Sequence, residues 1–380
     1  MRITRIETLN LARGITCHAG PISWLWVRLH TDAGLAGLGE TYPMADACEA
    51  VIHKQLAPWL LGRDARRIDQ LWAEMKLACE TFGLGGAEMR AISAIDIALW
   101  DLLGKSSGQP LYQLLGGKSR DRIRAYNTCY DHEFDFNTDA DKLALSLLKQ
   151  GIRAMKIWPF DAVALRNGGQ FITATELEAC LLPVRKIREA AGREMDIAME
   201  FHGYWNLPSA VRIAKALEPY DVLWLEEMLP QDSLAAYRAL KRETRIPLIL
   251  SERLMTRWQF REVLETGLAQ IINPDICWCG GIGEARKIAA MAEAWHVPVA
   301  PHNCGGPVLH VASLHLAQNV PNLFILETVR RNYLKEYAGL VTLAPAAVEG
   351  TFSAPDAPGL GVELAAGIER RPDVTVRFAQ

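Results

Sequence analysis

Six polar residues, Glu200, Glu226, Glu252, Asp275, His302 and Glu327, recur at intervals of 26, 26, 23, 27 and 25 residues. Each lies at the end of a short apolar run: MDIAMEFHG, DVLWLEEML, PLILSERL, QIINPDICW, VPVAPHNC and NLFILETV. One glutamate at a strand end is as readily a helix cap or an ion-pair partner. Three held close together would repel strongly unless a cation sat between them, so Glu200, Glu226 and Glu252 read as metal ligands. Oxygen ligands without thiolate or imidazole suit Mg²⁺, with Mn²⁺ as the alternative, and leave positions for water or substrate oxygens. Asp275 beside His302 would fix the imidazole tautomer and stabilise its protonated form, which a general base requires. Glu327 could exchange a hydrogen bond with a substrate oxygen, or simply cap a helix.

Two more groups belong with these. Lys156 in AMKIWPF would face the carboxylates across the site, where an ammonium neutralises a substrate carboxylate; Trp158 points the same way and borders the same space. His202 follows Glu200 by two, so both side chains project to one side of a strand, with the imidazole a step nearer the opening. A divalent cation, an ammonium and an acid/base imidazole around one point suit removal of the proton α to a carboxylate. The charges stabilise the resulting enediolate while the base takes the proton.

These residues meet only if the chain brings eight strand ends together. From about residue 122, RIRAYNTCY, AMKIWPF and the six runs above alternate with amphipathic segments such as LPSAVRIAKALEP and GIGEARKIAAMAEAWH. Strand and helix alternating eight times predict a parallel α/β barrel, whose strands converge at one mouth. One unit is longer: Lys156 to Glu200 spans 44 residues, and the excess, 159–172, predicts a long loop ahead of a helix opened by the capping box Thr173-Ala174-Thr175-Glu176. The first 60 residues predict antiparallel strands, with turn-rich loops at 14–24 and 41–46 that could reach over a site, and 46–115 is helical in pattern. The tail beyond 330 is too short for a domain and is expected to fold back on the N-terminal part.

Composition excludes several other classes. With 41 basic and 44 acidic residues, a net charge of -3 and no long run of one sign, the chain offers no surface for nucleic acid or an anionic membrane. It lacks a signal-like apolar start and any stretch near the roughly 20 apolar residues of a membrane span, so a soluble, cytoplasmic protein is expected. The eight cysteines are scattered, with Cys277 and Cys279 in CxC spacing, and read as reduced thiols. FGLGGAE and CGGIGEA lack the full phosphate-loop patterns.

GLGE before Thr41, SAIDIALWDLLGKSSGQPLYQLLGG, MEFHG, WLEEM, LSERL, NPDICWCGG, APHNCGGPV and LETV together resemble the enolase superfamily, within it the mandelate racemase/muconate lactonizing enzyme-like group. Sites of that superfamily are the general example of a Lys or His base working with Mg²⁺. The resemblance implies a modified TIM barrel, (β/α)7β, over residues 121–330, with an α+β capping domain from 1–120 completed by 331–380. It also implies Mg²⁺ on Glu200, Glu226 and Glu252, a His302/Asp275 base, a small-molecule sugar-acid substrate and a homo-oligomer. Racemases of this group carry a second base at the position of Trp158, so one-sided proton abstraction is implied. His202 then resembles the acid of the acid-sugar (galactonate-type) dehydratases, which protonates a leaving β-hydroxyl. An isomerase, either an epimerase or a lactone cycloisomerase, is the alternative. Glu200 replaces the usual Asp of those dehydratases, and Met228 a usual Pro.

Overall fold

A computed structural model describes all residues of the chain except 13–15, 18–19, 22, 82, 84 and 132, together with the side chains of 16, 17, 20 and 21. The alternating start forms β1 (Ile3–Leu11), which pairs antiparallel with β2 (Trp24–Thr31), itself antiparallel to β3 (Ala36–Thr41). Helix α1 (Ala87–Ser107) lies against β3, and the glycines of GLGE explain how closely. A Cβ at Gly39 would sit 1.9 Å from the Ala94 carbonyl oxygen, and one at Gly37 2.1 Å from that of Ala98. Only glycine lets helix and strand backbones approach this far. The C-terminal strand Val374–Ala379 pairs antiparallel with β1 and completes this sheet. An earlier piece of the tail does something else: Thr351–Phe352 pairs with the first barrel strand at Arg124 and Ile123.

In the barrel, β4 (Ile123–Thr128), β5 (Ala154–Ile157), β6 (Asp196–Glu200), β7 (Trp224–Glu226) and β8 (Leu248–Ile249) run parallel in that order. β9 (Leu326–Thr328) lies parallel to β4 on its other side. The regular ladder is not closed. Of the eight expected strands, the sixth and seventh runs contribute isolated bridges, Ile249↔Ile271, Ile272↔Val299 and Asp275↔His302. Pro274, Pro298 and Pro301 are the physical reason: they lack the N–H a ladder needs, although their carbonyls still accept from His302, Ile272 and Glu327.

Inside the ring, Tyr126, Ala154, Ala198, Trp224, Ile249, Ile271, Ala300 and Ile325 pack as one apolar layer. Two residues further along each strand come Thr128, Lys156, Glu200, Glu226, Ser251, Asn273, His302 and Glu327, all buried. The two-residue period of a strand therefore stacks a polar layer directly on an apolar one. The apolar layer closes the bottom of the barrel, and the polar layer is the floor of the mouth. Among the described residues no helix is long and apolar enough to cross a membrane.

The 159–172 excess is not the plain loop the sequence predicts. It contains helix α2 (Asp161–Asn167), ended by Gly168 at φ 65°. Helix α3 (Ala174–Ala191) then opens with the predicted capping box, Thr173 and Glu176 each bonding the other's backbone. Of loop 14–24, residues 14, 15, 18, 19 and 22 lie outside the described residues; Thr16–Cys17 pairs with Gly20–Pro21.

Helix α4 (Pro307–Asn319) follows the His302 run and is buried along its whole length. Its N-terminus is capped from outside the barrel. Glu40, the last residue of GLGE, accepts from the backbone N–H of Val308 at 3.1 Å and Leu309 at 3.2 Å, and from Trp26 Nε1 at 2.9 Å. Burial pushes this carboxyl up to about 7, against those three bonds. Further along α4, His315 Nδ1 accepts from Tyr112 N and its Nε2 donates to the Leu360 carbonyl, while His310 lies between Asn303 and the Pro345 carbonyl. Both are neutral rings that use one nitrogen as an acceptor, and burial lowers both to about 4.

Two outcomes follow from this helix. Glu40→Ala should destabilise the fold by roughly 2–3 kcal/mol, because it uncaps α4 and orphans the Trp26 N–H. An unchanged melting temperature would contradict that role. Below the ordinary histidine pKa of 6.5 the unfolded chain takes up protons that folded His310 and His315 refuse until about 4. Stability from these two groups is therefore whole above pH 6.5 and falls as pH drops towards 4. Melting scans across that window should show the decline, and it should be shallower in His310→Asn.

Candidate active site

Lys156 stands at the centre of the polar layer rather than across from it. Its Nζ lies 3.2 Å from Glu200 Oε2, 3.0 Å from Glu226 Oε2 and 2.9 Å from Glu327 Oε1. Register places them there: Lys156 pairs with Ala198 across β5 and β6, and Glu200 with Glu226 across β6 and β7. Neutral donors take the remaining lone pairs. Asn273 Nδ2 donates to Glu226 Oε1 at 2.6 Å and Trp224 Nε1 to Oε2 at 3.1 Å; Thr128 Oγ1 and the Asn303 N–H donate to Glu327. Burial pushes Glu226 well above the usual carboxylate range, and the adjacent Glu200 charge pushes it further. Glu327 is held well below that range, because Lys156 and His302 outweigh its burial.

Donor oxygens of Glu200, Glu226 and Glu252 lie within 4.8 Å of one another, and all three side chains are buried. Glu252 Oε2 has no hydrogen-bond partner. Two cationic groups lie near this carboxylate, His302 Nε2 at 3.7 Å from Oε2 and Arg253 Nη2 at 3.7 Å from Oε1. Buried carboxylates with an unsatisfied oxygen, and no sulfur or nitrogen donor among the three, fit a hard divalent cation such as Mg²⁺.

His302 Nδ1 donates to Asp275 Oδ2 at 2.7 Å, and the same oxygen accepts from Tyr42 Oη at 2.6 Å. Asp275 Oδ1 accepts from the Cys277 N–H, so the carboxylate is fixed from three sides. Nε2 of His302 is left facing Glu252 and Glu327, at 3.7 and 3.6 Å. Burial opposes the imidazolium, yet these two carboxylates prevail and hold its pKa well above the ordinary value. Tyr42 comes from the 41–46 segment expected to reach over the site. Its backbone carbonyl accepts from Trp278 Nε1 and Arg90, with the Arg90 guanidinium 3.9 Å above the Trp278 ring.

His202 sits in the left-handed region at φ 49°, and its N–H donates to Glu200 Oε1 at 2.8 Å. Its ring Nδ1 lies 2.6 Å from Asp161 Oδ2, at the first residue of α2. Burial disfavours the imidazolium, but Glu200 and Asp161 outweigh it and raise the pKa. The site therefore holds two imidazoles, each with its own carboxylate. The Trp158 ring stands edge-on to His202 at 6.1 Å and to Phe136 at 4.8 Å. It borders a cavity of about 590 Å³ lined also by Tyr130, Phe134, Asp135 and Asn137.

Sequence reasoning singled out neither Asp161, Tyr42, Thr128, Trp224 nor Asn273. Thr128 and Asn273 had a usable signal, since each lies two residues past an inward apolar residue, as Glu200 does. Asp161 had none, being 41 positions from His202 in a segment expected to be loop. If the three carboxylates take a cation, Mg²⁺ at a hundredfold excess over its dissociation constant should stabilise the protein by about 2.7 kcal/mol. Glu252→Gln should abolish the rise in melting temperature, and a native protein indifferent to Mg²⁺ would count against the site.

The comparisons agree with one another. Residues 9–116 match the mandelate racemase / muconate lactonizing enzyme N-terminal domain, and residues 139–368 match the enolase C-terminal domain-like family. A D-galactonate dehydratase from Ralstonia nicotianae is 36% identical over 375 residues, covering 96% of this chain and 92% of the relative. One from Pectobacterium atrosepticum is 35% identical over the same shares. The crystal structure of an enolase of the mandelate racemase subgroup from Agrobacterium tumefaciens superposes with a TM-score of 0.91 at 46% identity, covering 100% of this chain and 99% of that one. The chain is an enzyme of the enolase superfamily and belongs to its mandelate racemase / muconate lactonizing enzyme family.

Proposed function

We propose that the chain is an acid-sugar dehydratase, a hydro-lyase that converts a sugar acid into its 2-keto-3-deoxy product. The observation that carries this reading is the second imidazole: His202, held by Asp161, beside Glu200, while His302 and Asp275 face Glu252 and Glu327. Two imidazoles in separate carboxylate settings suit one proton removal and one proton delivery. The relatives named D-galactonate dehydratase support the same reaction class.

Glu200, Glu226 and Glu252 would hold Mg²⁺, which when bound supplies a Lewis acid to the substrate carboxylate. Lys156 adds a fixed positive charge at the same end, and its ammonium stays charged because three carboxylates surround it. In its neutral form His302 takes the α-proton at Nε2 while its Nδ1–H remains bonded to Asp275. The electron pair of the broken C–H bond forms the enediolate, then moves to expel the β-hydroxyl. His202 delivers the proton that lets this group leave as water, its ring held at Nδ1 by Asp161. The resulting enol tautomerises to the keto acid. Trp158, which has no proton to exchange at carbon, stands where a second base would act.

Incubation with D-galactonate in D₂O tests the proposal. Keto-acid formation is expected; deuterium in recovered, inverted substrate with no keto acid would establish an isomerase instead. His302→Asn should lower turnover by roughly 10² to 10⁴-fold. His202→Asn should block elimination while leaving exchange of the α-proton partly intact, and loss of both together would assign His202 to binding.

A further inference from the structure

A ring nitrogen of His302, Sγ of Cys304 and a carboxylate oxygen of Glu327 form a second group of donor atoms, all within 4.8 Å of one another. The spacing His302-Asn303-Cys304 places imidazole and thiol on one side of the extended segment. Glu327 joins them from the neighbouring strand, its Oε2 3.6 Å from Nε2. Cys304 is the one cysteine among the described residues that is not fully buried, so ions from the mouth can reach it.

We propose that His302, Cys304 and Glu327 form a second metal site, selective for a thiophilic divalent cation such as Zn²⁺, and that its occupancy blocks the base. Three protein ligands of nitrogen, sulfur and oxygen type with a fourth position open make a zinc-like set, unlike the all-oxygen glutamates beside it. The orientation of His302 is the one a zinc-bound histidine adopts, with Nδ1–H donated to a carboxylate and Nε2 free for the metal. Asp275 therefore supports either use of the ring. When the cation binds, Sγ and Nε2 each release a proton to solvent, and the Nε2 lone pair so freed enters the metal–nitrogen bond. No lone pair then remains to accept a substrate proton. This inhibitory consequence rests on the dehydratase reading, whereas binding of the cation does not.

The test uses full-length protein saturated with Mg²⁺ and titrated with Co²⁺, then with Zn²⁺. One equivalent of Co²⁺ should give a near-ultraviolet sulfur-to-cobalt charge-transfer band that Zn²⁺ removes. Cys304→Ser and Cys304→Ala should lack the band, and Glu200→Gln, which cripples the glutamate site, should keep it. A native protein without the band, or a band that survives both cysteine variants, overturns the proposal. Zn²⁺ should also protect Cys304 of the native protein from iodoacetamide, as read by mass spectrometry, and unprotected labelling overturns it without recourse to a variant. With D-galactonate as substrate, the Zn²⁺ concentration for half-inhibition should rise roughly tenfold or more in Cys304→Ser. If D-galactonate is not turned over, the dehydratase reading fails while the cobalt and alkylation results still decide the metal site.

Discussion

Four carboxyl groups, those of Glu200, Glu226, Glu252 and Glu327, are buried around the single ammonium of Lys156, and the rest of the barrel mouth answers to that excess of negative charge. In a medium of low dielectric constant these charges cannot all be tolerated without compensation. The protein divides the burden. Glu200 and Glu327 keep their charge beside Lys156 and an imidazole, whereas Glu226 is driven towards its protonated form. Thr128, Trp224, Asn273 and the Asn303 N–H supply neutral hydrogen bonds that hold the oxygens without adding charge. What remains is an unsatisfied Glu252 oxygen in a carboxylate cluster that could hold a cation.

The two imidazoles are supported from different parts of the chain. His302 is oriented by Asp275 in the barrel and, through that carboxylate, by Tyr42 of the N-terminal part. His202 is oriented by Asp161, which a short helix carries to it from beyond the second barrel strand. The two rings can therefore be tuned separately, one through the N-terminal part and the other through the extra helix. Each pairing also fixes the orientation of its ring.

Much of this was legible in the residues. The even spacing of the carboxylates revealed the barrel because each repeat is one strand and one helix long. The two-residue period placed His202 with Glu200, because parity on a strand is a local property. Lys156 was found but misplaced: its run gave a strand end, while its position amid the glutamates depends on register between β5 and β6, which no single segment encodes. Strands six and seven looked regular from their apolar residues, and the prolines within them were the overlooked sign that ladder bonds would be missing. Asp161 was hidden for a different reason. Its contact with His202 exists only once the 159–172 segment folds into a helix, and the Asn-Gly-Gly sequence at 167–169 suggested a loop.

Glu40 joins the two parts of the molecule through a single buried carboxylate. It belongs to the N-terminal sheet, yet it caps the barrel helix that follows His302, and Tyr42 two residues later touches the Asp275 carboxylate. The N-terminal part is therefore part of the apparatus that holds the His302/Asp275 pair, and not simply a cover over it. A chimera that joined this N-terminal part to the barrel of a relative would inherit a helix start and a histidine–aspartate pair shaped for another partner. Exchange of modules within the family is thereby restricted to pieces that carry both sides of this junction.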